Sequence, residues 1–195
     1  MENQSKTHEL IYMADLLPKE LCHFFTHILM RNPKSGDSQV PNALTVMHHE
    51  IVFETLQEKL WPLIEEQVGE ELLPTYAYAR LYSNGDILEK HTDREACEVS
   101  VTIQLGRSHN YAWPIYVGDK RLDMAEGDGV IYPGTEVPHW RNVCDGPEDY
   151  YSGQVFLHYV RKNGPYADQY NDIMDDDRRN MQIYIRNRTH LMDRK

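Results

Sequence analysis

Residues 79–93 read ARLYSNGDILEKHTD. Leading into this stretch, Tyr76, Tyr78, Arg80 and Tyr82 alternate with Ala77, Ala79 and Leu81, the two-residue period of a β-strand. Ser83-Asn84-Gly85-Asp86 then supplies turn chemistry. His91 and Asp93 follow, two positions apart, so on an extended strand their side chains share a face. A third ligand-type residue, His139, lies 46 positions beyond Asp93, after a separate turn and strand. A sheet folded into a barrel can bring it beside the other two. Two imidazoles and one carboxylate on one face of an octahedral ion leave three positions open, which suits ferrous iron that must bind a cosubstrate and dioxygen. A chain with 10 histidines also produces an HxD by chance, so the metal reading rests on the strand and turn signals around each ligand.

Outward from this stretch the chain divides into helices before and strands after. Leu10–Met13 reads as a short strand. Pro18 sits where a helix starts, and Lys19–Met30 carries Leu21, Phe24, Phe25, Ile28 and Leu29 as its apolar face. Residues 32–42, with two prolines and a glycine, read as a loop. A second helix spans Ile51–Val68 with Val52, Leu56, Leu60, Leu63, Ile64 and Val68 as its stripe. Pro62 is expected to kink or split it and Gly69 to end it. Downstream, strands are expected at Val99–Leu105, Trp113–Val117, Arg121–Met124, Val130–Tyr132 and Val155–Val160, with Gly118-Asp119-Lys120 as a hairpin turn. Helices followed by many short strands predict an α+β chain whose second half is a sandwich or open barrel. Large aliphatic side chains thin out over residues 161–195, which read as a C-terminal extension to a domain over 1–160.

Composition narrows the function. The chain has 195 residues, 20 basic and 31 acidic side chains, and a net charge of -11, which argues against broad phosphate-driven nucleic-acid binding. Residues 161–195 hold 8 basic and 6 acidic side chains, leaving 12 basic and 25 acidic in residues 1–160. Cys22, Cys97 and Cys144 form no CxxC pair and read as reduced thiols of a cytoplasmic protein. No run is long and apolar enough to suggest a membrane partner, and Met1–Glu9 is polar, unlike a signal peptide.

The run Ala79–Asp93 resembles the segment before the iron ligands in prolyl 4-hydroxylase-like, 2-oxoglutarate-dependent oxygenases, where an aromatic strand, a Gly turn and an HxD occur in this order. EGDGVIYP, residues 126–133, leading to His139, is similar to that family's second half, and LLPKEL, residues 16–21, to its N-terminal entry. The resemblance covers residues 10–160. It implies a double-stranded β-helix (jelly-roll) core with supporting N-terminal helices. It implies iron(II) held by His91, Asp93 and His139, with 2-oxoglutarate as cosubstrate and dioxygen as oxidant. The activity it implies is hydroxylation of a prolyl peptide or other amino-acid-like small molecule, with release of succinate and CO2. A non-catalytic jelly-roll (cupin-like) metal- or ligand-binding module is the competing reading.

2-Oxoglutarate needs a cation for its far carboxylate, preferably the fork of an arginine. In the resembling family that residue sits near the start of the strand after the distal His. Here DYYSGQVFLH, residues 149–158, has none. Arg141 is preferred, because two positions after His139 it faces the same pocket on a strand. Arg161 and Arg80 are the other candidates. Tyr82 matches the family's pocket tyrosine, with a half-buried strand aromatic as its plain structural alternative. Gln104, His158 and Trp140 are further pocket candidates that also suit structural roles. Cys97 reads as an inert core thiol, His48-His49-Glu50 as a surface cluster at a helix start rather than a second metal site, and Asp175–Asp177 as a solvated face. The loops at residues 32–42 and 106–112 are the expected specificity elements.

Overall fold

The computed structural model describes residues 10–33 and 36–170. The Asp175–Asp177 run therefore lies outside the described residues. The chain forms β1 (Ile11–Met13), α1 (Lys19–Arg31), β2 (Thr45–His48), α2 (Ile51–Val68), β3 (Leu72–Ser83), β4 (Leu88–His91), a 3-10 turn (Glu95–Cys97), β5 (Val99–Arg107), β6 (Ile115–Val117), β7 (Lys120–Leu122), β8 (Gly129–Tyr132), β9 (His139–Arg141) and β10 (Tyr151–Arg161).

Two antiparallel sheets build the barrel. The larger has the order β1-β8-β5-β10-β3-β2, the smaller β4-β9-β6-β7. This is the double-stranded β-helix arrangement, in which sheets of a jelly roll face each other across a shared interior. The strand alternation of β3 works on both sides. Ala77, Ala79 and Leu81 join a core with the helices, together with Val101, Ile103, Leu105, Val155 and Leu157. Tyr82 faces the interior, in a second core with Leu88, Trp113 and Phe156. Every residue of β5 except Arg107 is buried, and so is every residue of β10 except its two ends, because these strands are covered on both faces.

The helices differ in detail from expectation. The buried face of α1 is Cys22, Phe25, Thr26 and Leu29, while Leu21 and Phe24 are 40% and 55% exposed. The i, i+3, i+4, i+7 set that packs is thus rotated from the most hydrophobic one, to fit Thr26 against Gly106 and Gly153 of the sheet. Pro62 does not split α2, which runs unbroken from Ile51 to Val68. Burying Phe53, Leu56, Trp61, Ile64 and Val68 against the sheet outweighs one lost backbone hydrogen bond. Gly69 ends the helix at φ 78° with its N–H on the Glu65 carbonyl, as expected of a left-handed cap. The strand β2 was not expected. It pairs with β3 over Thr45–His48 and carries the following residue, His49, at φ 55°, into α2.

Candidate metal centre

His91 ends β4 and His139 begins β9, and the two are direct partners across that strand pair. Asp93 lies just past the strand end, not on it, and its backbone N–H is fixed by the Gly134 carbonyl at 2.8 Å. Strand parity alone therefore does not align His91 with Asp93; the turn at Gly134 does. Ligand atoms of the three side chains lie within 4.8 Å of one another. His91 Nε2 is 3.6 Å and His139 Nε2 3.4 Å from Asp93 Oδ1.

The surrounding hydrogen bonds set the protonation. His91 Nδ1 is 2.7 Å from the Glu89 carbonyl, and His139 Nδ1 is 3.0 Å from the Val137 carbonyl. A carbonyl only accepts, so both Nδ1 atoms donate, and in that tautomer the Nε2 lone pair of each ring is directed at the centre. Ser100 Oγ donates to Asp93 Oδ2 at 2.7 Å, leaving Oδ1 for the centre. Burial opposes the Asp93 charge, but hydrogen bonds from His139 and His91, made when their Nε2 atoms carry protons in place of a metal, outweigh it and hold the carboxyl well below the usual carboxylate range. Three acceptors thus converge on one small volume, an arrangement that a cation stabilises.

The cleft beside these ligands has a volume of about 250 Å³. Its walls include Tyr76, Tyr78, Arg80, His48, His158 and the loop residues Asp37 and Gln39. His158 Nδ1 is 3.1 Å from Ser100 Oγ, while its buried Nε2 has no hydrogen-bond partner. Burial pushes the His158 pKa down to about 4, so the ring is neutral. Cys97 Sγ lies 3.1 Å from Tyr76 Oη, and burial together with the Asp93 charge raises the thiol to about 12. It also belongs to a second grouping of ligand-type atoms, Asp93, Cys97 and His158, which shares Asp93 with the first. His48 is exposed at the end of β2 and lines the rim of the cleft, stacked on Tyr78 with ring centroids 5.0 Å apart. His49 turns to Glu54, so these neighbours do not converge.

The four cosubstrate candidates separate. Arg141 is 1% exposed. Its Nη1 donates to the Trp113 carbonyl, its plane lies 4.9 Å from the Trp113 ring, and Nε and Nη2 have no partner. Burial pulls its pKa down, against the nearby Tyr82, Tyr150 and Tyr132 hydroxyls. A buried guanidinium with unused donors, two residues from His139, has the chemistry to take a carboxylate. Tyr82 is fully buried, and its hydroxyl accepts from Arg80 Nη1 at 2.9 Å, which leaves its own proton to donate. Gln104 and Arg161 are already engaged by protein groups. The Gln104 amide nitrogen donates to Leu105 O, Ser152 Oγ and Gly153 O, and its oxygen accepts from Gln154, so its capacity is used within the barrel. Arg161 is held by Glu98 at 2.8 Å and Glu70 at 3.2 Å at the strand exit. Trp140 points away from the centre, stacked 5.1 Å from Tyr116 with Lys90 over its ring.

Sequence reasoning missed Ser100, Asp37, Gln39 and Gly134. The only sequence signal for Ser100 was its parity on a strand expected at Val99–Leu105. The loop at residues 106–112 contributes nothing to the cleft walls, whereas the loop at 36–44 does.

No protein-family model and no curated protein matches the chain. Solved structures do. A prolyl-4-hydroxylase from Pseudomonas putida is 15% identical, with 78% of this chain and 93% of that chain covered and a TM-score of 0.58. HygX from Streptomyces hygroscopicus, with nickel and 2-oxoglutarate bound, is 11% identical over 81% and 87%, with a TM-score of 0.60. NgTET1 in complex with 5mC DNA is 16% identical over 79% and 72%, with a TM-score of 0.57. The fold is therefore the double-stranded β-helix found in 2-oxoglutarate and iron(II) oxygenase structures. These neighbours differ in what accompanies them, so the fold alone names no substrate.

Proposed function

We propose that the chain is an iron(II)- and 2-oxoglutarate-dependent oxygenase that hydroxylates a prolyl or other amino-acid-like substrate. The observation that carries this reading is the convergence of the His91 and His139 Nε2 lone pairs with Asp93 Oδ1, each set by a hydrogen bond on its opposite atom. Two imidazoles and one carboxylate with open positions suit non-haem ferrous iron. Arg141, with two buried donors unused, would hold the far carboxylate of 2-oxoglutarate, and Tyr82 would donate to the same group.

When bound, iron and 2-oxoglutarate supply the oxidative chemistry, in which cosubstrate and dioxygen become succinate and CO2 as the substrate is hydroxylated. The protein's part is geometry and exclusion of water. The β4–β9 pair fixes both histidines, Ser100 orients the carboxylate, and Tyr76, Tyr78 and Phe156 wall the approach with apolar surface. Neutral His158 adds a buried face that brings no charge to the centre.

Among the described residues no helix is long and apolar enough to cross a membrane. The free, buried Cys22, Cys97 and Cys144 support a reducing, cytoplasmic setting. The reading is tested by supplying iron(II), 2-oxoglutarate and dioxygen with a panel of prolyl peptides and free amino acids. Succinate should form in substrate-dependent amounts in the wild type and not in His139→Ala. Metal binding without any turnover would favour a non-catalytic module.

A further inference from the structure

The cleft contains a second feature that metal and cosubstrate binding leaves unexplained. Arg80, on β3, is 1% exposed, and its guanidinium lies among the rings of Tyr78, Tyr82 and Phe156. Its Nη1 donates to Tyr82 Oη. Its Nη2 donates to Asp37 Oδ2 at 2.5 Å and to Gln39 Oε1 at 3.0 Å. Both of those partners come from the loop at 36–44, not from the barrel, and Asp37 remains 26% exposed. The same loop reaches the metal centre, where Gln39 Nε2 donates to His91 Nε2 at 2.9 Å. That lone pair is the one a metal would use. One amide thus ties Arg80 to the iron-ligand nitrogen, and among the described residues one carboxylate, that of Asp37, supplies the only counter-charge that Arg80 has in an ion pair.

These contacts describe a plug with a removable carboxylate. A metal bound at the centre would take the His91 nitrogen from Gln39 and so loosen the bridge to Arg80. Asp37, which lines the same cleft and is partly exposed, would then be the remaining ionic partner that a ligand in the cleft could replace. If a neutral group displaced Asp37, a buried guanidinium would be left without a counter-charge, which is strongly unfavourable. An incoming carboxylate replaces like with like and can use the bidentate fork of arginine. Arg94, over the Tyr76 ring at 4.7 Å, adds a second cation at the rim. A volume of about 250 Å³ suits a ligand of amino-acid size.

We infer that Arg80 binds a carboxylate of the substrate and that Asp37 occupies its place until the substrate arrives. The substrate is then an acid, either a free amino acid or a peptide C-terminus. The word substrate rests on the oxygenase reading; the carboxylate site itself stands on Arg80, Asp37 and Gln39.

The experiment is calorimetric titration of the full chain, both metal-free and saturated with Mn(II) and 2-oxoglutarate. The probes are the proteinogenic amino acids, their N-acetyl derivatives and their carboxamides. At least one free acid should bind, and its amide should bind about tenfold more weakly or worse. Asp37→Asn, which weakens the competing internal partner, should tighten the same acid about tenfold. Arg80→Gln should erase the preference for acid over amide while weakening 2-oxoglutarate no more than Tyr82→Phe does, because Arg80 reaches the cosubstrate site only through the Tyr82 hydroxyl. Retained binding of the N-acetyl acid would identify a peptide C-terminus, and its loss a free amino acid. The inference is overturned if no acid binds either form, if amides bind as well as acids, or if Asp37→Asn changes nothing. It is equally overturned if Arg80→Gln abolishes 2-oxoglutarate binding, since Arg80 would then be the cosubstrate anchor. Should Arg80→Gln fail to fold, the Asp37→Asn comparison decides alone. Acid binding by a chain that takes up neither Mn(II) nor 2-oxoglutarate would keep the carboxylate site and remove the oxygenase reading.

Discussion

His91 and His139 face each other as register partners across the β4–β9 pair, with ring centroids 4.3 Å apart. One strand pairing therefore sets both nitrogen ligands. His139→Ala should fold normally yet lose iron(II) or Mn(II) binding by a hundredfold or more, roughly the cost of removing one of three protein ligands. Competition against a chelator measures the affinity, and thermal unfolding checks the fold.

Ser100 acts on Asp93 from outside the ligand set. Its hydroxyl donates at 2.7 Å to the carboxylate oxygen that faces away from the centre. Ser100→Ala leaves every ligand atom in place but frees the carboxylate to rotate. Metal affinity should fall by about 10- to 100-fold, with little change in 2-oxoglutarate affinity once metal is saturating.

Gly134 is the position that allows Asp93 to sit where it does. A Cβ there would lie 2.4 Å from Asp93 Oδ2, 2.5 Å from the Cys97 carbonyl and 2.5 Å from Ser100 Oγ. One of those neighbours is backbone, so the strain cannot be relieved by a rotamer change. Gly134→Ala should cost about 1–3 kcal/mol of stability and weaken metal binding at least as much as Ser100→Ala. Denaturant unfolding and metal titration report the two effects separately.

Arg141 makes an unusual stability prediction. Its guanidinium is buried with Nε and Nη2 unpaired, so in the ligand-free chain it is a liability. Arg141→Met keeps the apolar stem and removes the charge. Stability should hold or rise, by about 1 kcal/mol, while 2-oxoglutarate affinity falls by about 100-fold. A residue that mattered only for packing would give the opposite pair of outcomes.

His158 predicts a pH dependence. Its folded pKa is about 4 against an ordinary 6.5, so the unfolded chain takes up a proton first as pH falls. Stability should decline between roughly pH 6.5 and pH 4, by up to about 3 kcal/mol from this group. His158→Phe should flatten that part of the stability profile, as read by chemical denaturation at successive pH values.

The sequence carried the metal centre more clearly than its surroundings. His91, Asp93 and His139 were legible because a ligand pattern survives as residue types and spacing. The face of β3 was legible because alternation is a local property of a strand. The burial of Arg141 on the same face of β9 as His139 followed from parity alone, two residues beyond it. The rest depends on closure of the fold. Ser100 meets Asp93 only because the turn at Gly134 brings β5 and the HxD segment together. Asp37 and Gln39 read as loop residues, since nothing local says that a loop folds back over β3 and β4. The buried face of α1 was misread because Leu21 and Phe24 outweigh Cys22 and Thr26 in hydrophobicity, while fit against Gly106 and Gly153 decides the packing. The strand β2 is four residues long and gains its stability from pairing with β3, which no window of sequence reveals.

The central claim is that His91, Asp93 and His139 hold iron(II) while a separate buried arginine holds 2-oxoglutarate. The direct test is an anaerobic titration of the full chain with iron(II) and 2-oxoglutarate, followed by visible absorption. A charge-transfer band should appear only when both are present, disappear in His139→Ala, and need far more 2-oxoglutarate in Arg141→Met. A wild-type chain that gives no band, with His139→Ala behaving identically, would contradict the account.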